Sequence, residues 1–163
     1  MSNINRKIIS AIIMAAMFLI LTGALAQAGS ANVETLYGSW YAEIMTVNQV
    51  QADGGHTFPA LLTFGAEGTL VVDEPPLLGE TSGHGNWISN DDGTIVYTFV
   101  ALYSDGAGAY TGKLKVVGTL QYDSAADTWQ GPFKIDIFDA DDNVIAADTG
   151  TVDTVRIAVE SLD

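Results

Sequence analysis

From Gly38 onward the chain alternates apolar and polar residues with period two, and Gly, Asn and Asp clusters interrupt the alternation at short intervals. That pattern makes half-buried strands joined by tight turns. Leu114, Val116, Gly118, Leu120 and Tyr122 fall on one face of such a strand, opposite Lys113, Lys115, Thr119 and Gln121. Trp129, Gly131, Phe133, Ile135 and Ile137 likewise oppose Gln130, Lys134 and Asp136. Helical periodicity is confined to one turn around Ala31 to Leu36. Strands are expected at 38–47, 58–72 (folded on itself at Ala66-Glu67-Gly68), 85–88, 94–103, 110–122, 128–138 and 151–160. Asp73 to Glu80, with Pro75-Pro76 and Gly79, reads as a loop. Antiparallel strands in this order must close or stack to hide their edges. A single up-and-down β-barrel of about eight strands suits them, with a β-sandwich as the alternative.

The first 28 residues stand apart from this domain. Arg6 and Lys7 precede an uncharged, mostly apolar run from Ile8 to Leu25. Ala24-Leu25-Ala26 and Ala26-Gln27-Ala28 then fit the small-x-small rule for signal cleavage. The chain is therefore read as residues 1–28, a cleavable signal peptide, and 29–163, the β domain of a secreted or periplasmic protein. No later segment is apolar for long enough to cross a membrane, so no membrane anchor is expected after cleavage. Loss of Arg6 and Lys7 takes the formal charge from −14 to −16, four basic residues against twenty acidic. Such a surface repels phosphate backbones, and nucleic acid is excluded as a partner. The chain has no cysteine, which removes disulfides, thiol catalysis, thiolate metal sites and a lipoprotein anchor.

Two features resemble the calycin group, the lipocalins and related β-barrels. Gly38-Ser39-Trp40 opens the first expected strand, and Arg156, the sole arginine after the signal, lies in the last. The resemblance implies that Trp40 plugs the closed end of a barrel and that Arg156 packs over it as a cation–π pair. It also implies a cavity for a small hydrophobic or amphipathic molecule. The long C-terminal helix and the disulfide of many lipocalins have no counterpart here. Allene-oxide-cyclase-like and dirigent-like barrels are rival resemblances.

Candidate chemistry is sparse. His56 and His84 are the only histidines, 28 residues apart, with no metal-ligand spacing between them. His84 lies between two glycines and close to Trp87: a loop-to-strand junction whose imidazole bonds a nearby carbonyl explains it, and contact with a ligand and acid–base catalysis are the alternatives. As ligand contacts, His84 and Trp87 are expected near the mouth of the cavity. Asp139, Asp141 and Asn143 match the start of an EF-hand loop, but Val144 and Gly150 replace its required glycine and glutamate, so a hairpin turn explains the run. Glu43 is expected to point outward from the first strand. Tyr97, Phe99 and Tyr103 share one strand face and, with Phe133, are expected to line an apolar interior. The ligand-binding set read from the sequence is thus His84, Trp87, Tyr97, Phe99, Tyr103 and Phe133, with no metal and no cofactor. Three functions fit: a binder of a small hydrophobic molecule, a cofactor-independent cyclase or isomerase using the same cavity, and a structural domain with a filled core.

Overall fold

The computed structural model describes residues 33–47, 56–75 and 79–162; the expected signal segment lies outside them. A one-turn 3-10 helix at Val33–Thr35 leads into eight strands: β1 Gly38–Thr46, β2 Thr57–Phe64, β3 Thr69–Asp73, β4 Gly83–Ser89, β5 Ile95–Ser104, β6 Tyr110–Asp123, β7 Thr128–Asp139 and β8 Val144–Arg156. Each strand pairs antiparallel with the next, and β8 pairs with β1 to close a barrel. Closure excludes the sandwich arrangement. Among the described strands it leaves no unpaired sheet edge.

The alternation read from the sequence sets which residues face the interior. Trp40 and Ala42 of β1, Ala60 to Phe64 at every second position of β2, and Leu114, Val116 and Leu120 of β6 are buried. Lys115, Thr119 and Gln121 of β6 face solvent, as does Glu43 of β1. An apolar inside with a charged outside inverts the pattern of a lipid-facing barrel.

Turn chemistry fixes the register. Asp105, Asp123 and Asp139 each open a hairpin turn, and their carboxylates accept backbone N–H groups from Ala107 and Ala109, from Ala125, and from Asp141 and Asn143. The hydrogen bonds from Asn143 hold the Asp139 carboxyl below its ordinary range. The EF-hand-like run is thus the turn between β7 and β8. At Gly68 and Gly93 the turns need positive φ, +83° and +82°, which glycine adopts without strain.

Strand β8 differs from the expected one: it begins at Val144, not Thr151, and ends at Arg156. Its inward positions include Asp148, Gly150 and Thr154, so its first half has no apolar alternation to read. Pairing with β7, from Ile135↔Asp148 to Phe138↔Val144, recruits those residues instead.

One end of the barrel is filled. Trp40, Trp129, Phe64, Leu70, Ile95 and Leu120 are fully buried there or nearly so. The Trp40 indole N–H donates to the Leu36 carbonyl at 2.8 Å, tying the segment after the 3-10 helix across the barrel base. Arg156 lies over the Trp40 ring at 4.1 Å and donates to the Tyr37 and Thr35 carbonyls. The Thr154 hydroxyl accepts from the Trp129 N–H and donates to its carbonyl, which satisfies a buried backbone pair.

Candidate ligand-binding cavity

Beyond this plug the barrel is hollow. Among the described residues a cavity of about 350 Å³ extends from the plug toward the opposite end of the barrel, at the low end of the range that holds small molecules. Its walls are mainly apolar, with Leu62, Val72, Leu114, Val116 and Val152 beside Phe99 and Phe133.

The aromatic rings are held against the wall by glycines. Tyr97 pairs in register with Gly118, Phe99 with Gly85, and Phe133 with both Gly118 and Gly150. A Cβ placed on Gly118 would run into the Tyr97 ring, one on Gly83 into Phe99, and one on Gly150 into Phe133. Each ring therefore occupies the space a neighbouring side chain would have taken. The Tyr97 and Phe99 rings stack within 8° of parallel, centroids 6.5 Å apart. Because these rings lie along the wall, the barrel axis stays open.

Tyr97, Phe99, Tyr103 and Phe133 line the cavity together. His84 and Trp87 do not. Gly83, Gly85 and Trp87 occupy the inward positions of β4, so alternation turns His84 outward, where it is exposed. Trp87 points inward but belongs to the closed end: its indole N–H donates to the Gly65 carbonyl at 3.1 Å, and its ring packs on Tyr37 and Phe64. The mouth expected of these two residues is formed by others.

Those others are polar. Glu74, Glu80, Asp148, His56 and Thr46 line the outer part of the cavity. His56 stacks on Phe58 at a centroid distance of 5.8 Å. Glu80 bridges to Tyr103 of β5 just before Thr81, whose N–H donates to the Leu102 carbonyl. The Asp73 carboxylate accepts from the Ser82 hydroxyl and draws the two ends of the β3–β4 connection together. Burial pushes the Glu74 carboxyl up to about 7, helped by the neighbouring Glu80 carboxylate. Burial also raises Tyr97, and raises Tyr103 together with the Glu80 and Glu74 charges. A carboxyl poised near neutrality can bind a cation or move a proton.

These mouth residues lie where periodicity says little. Glu74 and Glu80 flank the proline-rich loop, where side-chain direction has no period, and Asp148 falls in the unread half of β8. Glu43, the acidic residue placed inside an apolar strand, points to solvent as expected.

No protein-family model, curated protein or solved structure matches the chain. Fold and cavity define, among the described residues, an eight-stranded antiparallel up-and-down barrel, calycin-like in its general architecture, with one end plugged and an apolar pocket toward the other.

Proposed function

We propose that this is an exported, lipocalin-like binding protein that holds a small hydrophobic or amphipathic molecule in the barrel. The observation that carries the reading is the hollow interior: glycines set the aromatic rings back and keep about 350 Å³ open above a plugged base. A domain built only for stability gains by filling such a space, since each unfilled methylene-sized void costs stabilising contacts. The lipocalin-like part rests on the Trp40–Arg156 pair, and export rests on the Arg6-Lys7 and apolar-run pattern of residues 1–28. In this reading the site is secreted or periplasmic, needs no cofactor, and has Tyr97, Phe99, Tyr103 and Phe133 as its apolar contacts.

Glu74 favours a second reading, a cofactor-independent cyclase or isomerase. A carboxyl near 7 beside an apolar pocket is suited to general acid–base transfer on a hydrophobic substrate. Native mass spectrometry of protein purified from its own host tests both. A co-purifying small molecule that is released unchanged supports the binder. A molecule converted by the wild type but not by Glu74→Gln supports the enzyme. An empty protein that also takes up no apolar probe contradicts both.

A further inference from the structure

The cavity walls and the cavity mouth differ in character, and the difference specifies the ligand's shape and charge. Apolar side chains and aromatic rings surround the inner space, while three carboxylates, Glu74, Glu80 and Asp148, line the outer part. Among the described lining residues none is Lys or Arg. The cations of the barrel lie elsewhere: Lys113 pairs with Asp142 and Lys134 with Asp136, Lys115 is exposed on the outer face, and Arg156 is committed to the closed end. Glu74 and Glu80 interact with each other and with Tyr103 at one side of the opening, and the Glu80–Tyr103 bridge fixes that side to β5.

We infer that the ligand is an amphipathic amine, its apolar body in the barrel and its ammonium head between Glu74 and Glu80 at the rim. This rests on the ligand-binding reading above and narrows it to cationic molecules. An ammonium there forms charge-assisted hydrogen bonds with the carboxylates. It also relieves the repulsion between them, which an alcohol cannot do and a carboxylate worsens. The Tyr103 ring adds an aromatic surface at the same side of the mouth. An ammonium arriving while Glu74 is protonated displaces that proton to solvent, so binding releases protons near neutrality. Tyr97, Tyr103, Glu80, Asp148 and His56 are the other titratable groups lining this cavity.

The test compares decylammonium, decanol and decanoate, three probes with one tail and different heads, by calorimetric titration below their micelle-forming concentrations. The wild type should bind decylammonium at least about tenfold more tightly than decanol, with decanoate weakest. In Glu74→Gln/Glu80→Gln the affinity for decylammonium should fall to the level of decanol, and a denaturant melt of the variant shows that it is folded. If that variant does not fold, the ranking of the three probes on the wild type decides alone. Decanol bound as tightly as decylammonium would overturn the cationic assignment and leave the apolar binder standing. Failure of all three to bind would overturn both.

Discussion

The Arg156 guanidinium carbon sits 4.1 Å from the centroid of the Trp40 ring, and the two residues are register partners across the β1–β8 pairing that closes the barrel. One contact therefore joins the first strand, the last strand and the N-terminal 3-10 segment, whose carbonyls the same guanidinium caps. Replacing Arg156 by Ala should destabilise the barrel by about 2 to 3 kcal/mol, from a lost cation–π contact and two lost hydrogen bonds. Arg156→Lys should recover only part of this, because an ammonium lacks the planar fork that reaches both carbonyls. Urea denaturation followed by tryptophan fluorescence measures both variants.

The pairing of Tyr97 with Gly118 gives a second expectation. In Gly118→Ala the new methyl group meets the far end of the Tyr97 ring, which must swing toward the barrel axis. Uptake of an apolar probe should fall about tenfold or more, a larger loss than the stability change alone explains. Gly106→Ala is the control, because a Cβ there meets nothing within 4 Å. Equal probe binding by both variants would contradict the role assigned to the glycine.

Glu74 sets a pH dependence whose sign follows from its environment. Its carboxyl rises from 4.5 to about 7 on folding, so between those values the native state keeps a proton that the unfolded chain has released. The stability this contributes is fully present below about 4.5 and is lost as pH rises through about 7. The ceiling is about 3 kcal/mol, shared with the coupled Glu80 charge. Glu74→Gln should therefore match the wild type at pH about 5 and exceed it by about 1 to 3 kcal/mol at pH about 8. Denaturant melts across this range, wild type against variant, isolate the residue from the general repulsion of an acidic chain.

Much of the fold was legible because strand faces alternate strictly. The inward sets of β6 and β7 follow from period two alone, and Trp40 and Arg156 mark the two ends of the chain path. The start of β8 was not legible: Ala146, Asp148 and Gly150 carry no apolar signal, and only pairing with β7 makes them a strand. The cavity wall was readable from the Tyr97, Phe99, Tyr103 stripe. Its mouth was not, because the loop bearing Glu74 and Glu80 is held by Asp73–Ser82 and Thr81–Leu102 contacts that join residues by tertiary geometry. His84 shows the converse error. Its glycine neighbours are the inward residues, making room for Phe99, and the histidine itself faces out.

Export has its own measurement. N-terminal sequencing of protein recovered outside the cytoplasm should begin at Gly29, or at Gln27 if the earlier site is cleaved. Intact Met1 on a membrane-bound form would contradict the cleaved-signal reading.

The central claim is that the barrel takes an apolar molecule into its interior, and a titration with a neutral, environment-sensitive dye tests it most directly. The wild type should show saturable uptake with one site per chain. Phe99→Ala, which removes a ring from the cavity wall, should weaken it about tenfold, and His84→Ala, altered on the outer face, should leave it unchanged. No saturable uptake by the wild type, or equal losses in both variants, would contradict the account.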